Sequence, residues 1–298
     1  MITQKIKQSS ILFLWLFIAC FFTKNLKAQC TGVSVSDSLE LVNFYNATGG
    51  ENWTNNDGWL VEPVSNWFGI TLSEDGCFVE VIELSQNNLI GVLLDLNLPN
   101  LIALKLMQPF WEVNSLSGTI PDFNNLPKIE TLNLSHNQLI GNIPDFNNLP
   151  NLKTLYLSNN QLIGNIPDFN NLPKIETLNL SYNQLIGNIL DFSNLPNLKT
   201  LYLQANNLTG SIPDFSNLQK LEVLELGSFW QPSLLTGNVP DFSNLPNLTN
   251  LILNNNQLNG SIPDFSNLPK LSFLEVGGNN LTGNVPDFSN LPNLTNLI

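Results

Sequence analysis

The chain has 298 residues, with 24 acidic side chains against 11 lysines and no arginine, for a formal net charge of −13. Such a balance excludes nucleic acid and anionic lipid as partners, because both are recognised by Lys and Arg that neutralise phosphate. The length would fill two ordinary domains, but internal repetition replaces that expectation with one repeat array.

Residues 1–28 read as an export signal. Lys5 and Lys7 give a positive start, Ile11 to Phe22 is an unbroken apolar run of 12, and Ala28 offers a small residue for cleavage before Gln29. A run of that length is too short to span a bilayer, which takes about 20 residues. Phe17-Ile18-Ala19-Cys20 also loosely resembles a lipobox, although Phe21 and Phe22 continue the apolar run past the cysteine. An uncleaved anchor is the third reading. Cleavage after Ala28 leaves 7 lysines and 24 acids, a net charge of −17. That surface suits basic partners, divalent cations or neutral glycans, or serves solubility alone. No later segment is apolar for long enough to be a membrane helix, so the mature chain is expected not to insert in a membrane.

Residues 29–78 stand apart as an N-terminal cap. Ser38 to Tyr45 reads as a helix, with Leu39, Leu41, Val42 and Tyr45 apolar and Asp37 as N-cap. Two tryptophan-rich stretches follow, Asn52-Trp53 to Trp59 and Trp67-Phe68-Gly69-Ile70. Cys30 and Cys77 flank the segment. In the oxidising conditions an exported protein meets, a bridge between them is the candidate disulfide. Closing a loop of that size is worth about 4 kcal/mol in the chain-entropy account. The alternative leaves Cys30 free or paired with another chain.

From residue 79 the sequence repeats. The clearest unit runs from Ile129 through Leu132, Leu134, Asn137, Leu139, Gly141, Ile143, Pro144, Asp145 and Phe146 to Leu149-Pro150, and Leu152, Ile175, Leu198 and Leu221 begin the next units at 23-residue spacing. Leu248, Leu271 and Leu294 continue the series, and Val79 and Leu101 open two less regular units. Nine units result, and a tenth stops at Ile298. Leu132 and Leu134 alternate with Thr131, Asn133 and Ser135, the period of a short strand with one buried face. Such a strand buries its leucines only by stacking on the next unit, which aligns the strands in a parallel sheet. Asn87, Asn114, Asn137, Asn160, Asn183, Asn206, Asn256 and Asn279 recur at one place and are expected to satisfy backbone groups of neighbouring turns; Ser233 interrupts them. Gly141 and its counterparts permit a tight bend, and Pro144 and Pro150 preclude long helices on the return path.

This pattern, Leu-x-x-Leu-x-Leu-x-x-Asn-x-Leu, is identified as that of the leucine-rich-repeat family, over residues 79–298. The segments Leu139 to Pro144 and Leu208 to Pro213 resemble the plant-type subclass, in which they form a second short strand on the flank. Departures are units mostly one residue shorter and Leu190 in place of a proline. The resemblance implies an α/β-type solenoid: a right-handed superhelix with a concave parallel β-sheet and a mostly irregular or 3-10 convex side. Residues 30–78 resemble that subclass's N-terminal cap, where a helix and tryptophans shield the first repeat. Tyr45 to Trp53 also resembles a run in bacterial surface repeat proteins. Ser65 and Leu72 stand where the cap's usual cysteine pair would be, so the family's bridge does not carry over.

No catalytic or cofactor motif occurs, so neither enzyme activity nor a cofactor is expected. The one histidine, His136, occupies a repeat position filled elsewhere by Asn159, Tyr182 and Ala205. Residues between the leucines are expected to face outward on the concave side: Glu80/Glu83, Lys105, Glu130/Asn133, Lys153/Tyr156, Glu176/Asn179, Lys199/Tyr202, Glu222/Glu225, Ile252 and Glu275. Glu130, Lys153, Glu176 and Lys199 would form a row of alternating charge, strands being about 4.8 Å apart. Tyr156 and Tyr202 are candidate exposed anchors of the sort interfaces use. Two insertions, Met107 to Val113 and Gly227 to Pro232, each carry a Phe-Trp pair, Phe110-Trp111 and Phe229-Trp230, which either bind ligand or pack on a neighbouring repeat. Asp122, Asp145, Asp168, Asp191, Asp214, Asp241, Asp264 and Asp287 form an acidic ladder, read as turn caps or, less simply, as a calcium site.

The expected function is extracellular, non-enzymatic recognition of a protein, peptide or glycan through the concave face and aromatic insertions. A structural or adhesive surface protein is the alternative. The sensor part of a larger receptor continuing beyond residue 298 is another, because the unit ending there exposes Leu294 and Leu297 unless further repeats, a cap or a partner cover them.

Overall fold

The computed structural model describes residues 32–108, 116–229, 231 and 233–298. The export signal, Cys30, Phe110, Trp111, Asn114 and Trp230 lie outside the described residues.

Helix α1 spans Val35–Ala47, starting before the expected Ser38, and its N-cap is Ser34 rather than Asp37. Ser34 Oγ accepts the Asp37 amide at 3.1 Å, as an N-cap does, and donates to Asp37 Oδ1 at 2.7 Å, while the Ser34 amide donates to Cys77 O. Asp37 is buried, and its other oxygen accepts the Val79 amide at 2.9 Å. Both residues are good N-caps by type. The long-range bond to Val79, which fastens the helix to the first repeat strand, claims Asp37.

Behind α1 lies an aromatic cluster. Trp53 and Trp59 meet edge-on at 4.9 Å, Tyr45 lies 5.1 Å from Trp53, and Trp59 lies 4.6 Å from Trp67. Each indole N–H donates to a backbone carbonyl: Trp53 to Thr48, Trp59 to Phe68 and Trp67 to Glu62. The rings are buried without orphaned donors, and they close the core where the first repeat would otherwise be open. Cys77 is buried and disulfide-bonded. Its expected pairing with Cys30 involves a residue outside the described ones.

Strand β1 (Ile70–Leu72) pairs antiparallel with β2 (Val79–Glu83), and from β2 onward all neighbours in an 11-stranded sheet run parallel, one strand per repeat. The register places leucine beside leucine: Leu132, Leu155, Leu178 and Leu201 are successive partners, each fully buried. The second short strand occurs on the flank as expected. A four-stranded sheet joins Gly91–Val92, Leu116–Thr119, Gln138–Asn142 and Gln161–Ile163, and a three-stranded one joins Ile186–Asn188, Asn207–Ser211 and Leu234–Thr236. The convex return path is made of turns with i→i+3 bonds, as where Leu149 donates to Phe146 and Leu152 to Leu149.

Asn160 shows how the turns are fixed. Its Oδ1 accepts the Leu139 amide of the preceding unit at 3.0 Å, while Nδ2 donates to Leu134 O of that unit at 3.0 Å and to Leu157 O of its own at 3.1 Å. Asn137 and Asn183 repeat the arrangement. The shorter Ser233 donates its hydroxyl to Leu226 O at 3.3 Å. The acidic ladder consists largely of turn caps: Asp168, Asp191, Asp214, Asp241, Asp264 and Asp287 each accept the amide two residues on. Among the described residues no group of three His, Cys, Asp or Glu side chains is placed to hold a metal.

Candidate functional site: the concave face

The outward positions of the concave strands form columns, and the charged column closes its hydrogen bonds in pairs. Lys153 pairs with Glu130 at 2.7 Å and Lys199 with Glu176 at 2.7 Å, each cation bonding the acid of the preceding unit. Lys105 does the same with Glu83 at 3.0 Å. Dyads form because one ammonium at hydrogen-bond distance satisfies one carboxylate. The Lys199 bond holds Glu176 below its ordinary pKa, and Glu176 holds Lys199 above its own. These exposed pairs add little to stability; their effect is to neutralise the first half of the concave surface.

Tyr156 and Tyr202 stand in one column with Asn179 between them. Both are half-buried rather than fully exposed. Flanking strands cover part of each ring, and burial, followed by the nearby charge of Glu225, pushes the Tyr202 phenol up.

The second half of the face differs. In column order after Tyr202 come Glu225, Ile252 and Glu275. Glu275, expected to face solvent, is only 3% exposed. Burial raises its pKa and that of Glu225, which is further raised by the charge of Glu275. Gln204 donates to Glu225 Oε2 at 3.0 Å. Buried side-chain atoms without a hydrogen-bond partner gather here: Gln204 Oε1, Asn254 Oδ1 and Nδ2, and Glu275 Oε2. Sequence reading missed Gln204 and Asn254, since their column elsewhere holds Ser135, Ser158 and Ser181 and nothing in the repeat marks them out. The signal was the change of residue size in that column.

His136 has φ 57°, as Asn159, Tyr182 and Ala205 have 55°, 53° and 55° at the same place. The site imposes a left-handed backbone, and Asn159 contacts the ring at 3.4 Å. Burial lowers its pKa. The insertions are anchored where they leave the sheet. Gln108 and Ser228 are buried, and Ser228 O accepts from Asn255. Beyond that anchor Phe229 is 62% exposed.

Residues 150–195 match the model for leucine-rich repeats in two copies, and residues 128–149 and 197–218 match the single leucine-rich-repeat model. Among solved structures, the ectodomain of the Arabidopsis thaliana receptor kinase GASSHO1/SCHENGEN3, in complex with CASPARIAN STRIP INTEGRITY FACTOR 2, is 30% identical with a TM-score of 0.75, over 88% of this chain and 33% of that one. The Arabidopsis receptor kinase HAESA, in complex with the peptide hormone IDA and the co-receptor SERK1, is 28% identical with a TM-score of 0.69, over 89% and 49%. A plant ice-binding protein is 28% identical with a TM-score of 0.68, over 89% and 96%. This chain therefore spans a third to a half of the receptor ectodomains it matches. No curated protein matches it. Residues 128–149, 150–195 and 197–218 are leucine-rich repeats, and the described chain folds as a parallel-sheet solenoid like those of receptor ectodomains.

Proposed function

We propose that the protein is an exported, non-enzymatic recognition module that binds an extended peptide or protein segment along the concave sheet, with Phe229 beside it. The Tyr156–Tyr202 column carries this reading. Two half-buried aromatic rings, set apart by one strand on a rigid sheet, offer contact area at little entropic cost. Receptor ectodomains of the same fold bind peptide hormones, which supports an extracellular place and a peptide partner. In the test, a random dodecapeptide phage library is panned on the wild-type protein and the affinities of selected peptides are remeasured on Tyr156→Ala/Tyr202→Ala. The expected loss is tenfold or more, in line with about 1–2 kcal/mol for an aromatic anchor, with thermal stability nearly unchanged. Unaltered affinity, or no selected peptide at all, sinks the reading.

A second reading rests on the flank. Ile140, Ile163 and Ile186 form an exposed apolar row, each about half exposed, and the plant ice-binding protein matches this chain along nearly its whole length. A regular surface, ice or a crystalline polysaccharide, would meet that row. Inhibition of ice recrystallisation by the wild type and its loss in Ile163→Asp is the expected result on this reading. Inactivity of the wild type removes ice.

A further inference from the structure

We infer that the second half of the concave face, around Glu225, Ile252, Asn254 and Glu275, is a subsite for a basic side chain, an arginine guanidinium above all. The inference rests on the peptide-recognition reading and names the ligand chemistry it requires.

Charge is the first support. Glu83, Glu130 and Glu176 each have a lysine on the neighbouring strand. Among the described residues Glu225 and Glu275 have no cationic group within 4.0 Å, and the column between them holds only Ile252. Three acids of the first half thus carry a lysine partner, and Glu225 and Glu275 carry none among the described residues.

Unmet hydrogen bonding is the second and independent support. Asn254 is 2% exposed and neither atom of its amide has a partner. Leu253 is fully buried in the core, so Ile252 and Asn254 on either side of it turn to the concave side. Gly227 precedes Asn254 in its column and Gly277 follows it, and neither supplies a side chain to bond it. A buried polar group left without a partner costs stability, and a cluster of such groups is retained where a ligand completes it. The unpartnered atoms are three acceptors, Gln204 Oε1, Asn254 Oδ1 and Glu275 Oε2, and one donor, Asn254 Nδ2. An acceptor-rich set calls for a donor-only ligand, and guanidinium carries five N–H donors and no acceptor. It is also weakly hydrated, which favours it over ammonium at a half-buried site. Burial raises the pKa of both carboxyls, and the charge of Glu275 adds to the rise at Glu225.

The probe is agmatine, a guanidinium without a peptide, titrated into protein labelled at the isoleucine δ1 methyls. The Ile252 methyl is expected to shift saturably at millimolar agmatine, and the affinity is expected to fall at least tenfold in Glu225→Gln/Glu275→Gln, a variant that keeps shape and removes charge. A wild-type Ile252 that does not respond, an equal response in the variant, or saturation by calcium ion at lower concentration overturns the subsite. In a parallel arm, a peptide array with each residue type fixed in turn should favour arginine on the wild type and lose that preference on the variant. If the array binds nothing while agmatine binds at Ile252, the peptide reading falls and the cation subsite stands.

Discussion

Replacing Phe169 with alanine is expected to destabilise the protein by about 3–5 kcal/mol, the range for truncating a buried aromatic ring. Phe123, Phe146, Phe169, Phe192, Phe215, Phe242 and Phe265 recur once per unit, all essentially buried, and all with φ near +50°. A left-handed conformation costs a side-chain-bearing residue about 1–2 kcal/mol. The fold accepts that cost seven times because the bend at this point drives each ring under the convex turns, where it fills the space between leucine layers. Alanine would keep the backbone strain and lose the filling. Glycine would lose the ring but relieve the strain, so Phe169→Gly should be less damaging than Phe169→Ala by up to about 1 kcal/mol. Denaturant titration followed by far-ultraviolet circular dichroism measures both. A loss under 1 kcal/mol for alanine would mean the ring is replaceable by collapse of its neighbours.

The second large effect is expected at Asn160. Alanine there strands the buried Leu139 amide, while Leu134 O keeps its bond from Asn137 and Leu157 O its bond from Asn183. One buried group left unsatisfied costs about 1–3 kcal/mol. Serine should cost less, since Ser233 occupies the equivalent place and keeps one of the carbonyl bonds. The order Asn above Ser above Ala in thermal midpoint is the check. A serine variant as weak as alanine would show that the bond from the Leu139 N–H to Asn160 Oδ1, not the bonds to the carbonyls, dominates the ladder.

Much of this architecture can be read from the sequence because a solenoid's contacts are made between neighbouring units. Leu132, Asn137 and Gly141 each meet their own counterparts, so a period in the chain is a period in space. The concave strands, the asparagine ladder, the flank strand and the aspartate caps follow from that. Asp37 was misread as the helix cap because its partner, Val79, is 42 residues away, and no local pattern announces such a bond. The phenylalanine spine was present as a plain Asp-Phe repeat, but the left-handed backbone that buries it is invisible in composition. Pairing of Lys153 with Glu130 rather than with Glu176 depends on side-chain lean, which column spacing does not encode. The acid-rich half of the concave face was legible only as a list of residues. Its character comes from the departures of three successive repeats, Gly227, Ile252, Asn254 and Glu275 standing where other units hold serine, tyrosine or asparagine.

The tryptophan cluster behind α1 has a consequence for how the molecule reports on itself. Trp53, Trp59 and Trp67 sit together at one end, whereas residues 116–229 hold no tryptophan at all. Once the two insertion tryptophans, Trp111 and Trp230, are replaced by phenylalanine, ultraviolet emission from residues 29–298 is a beacon fixed to the end plate, dark to the coils that carry Tyr156, Asn160 and Phe169. If damage introduced among those coils stays local, the backbone signal decays while the beacon still shines from an intact terminus. If the coils melt as one body, both fade together. The distribution of one residue type thus turns a single chain into a two-colour gauge of how far disorder travels along it.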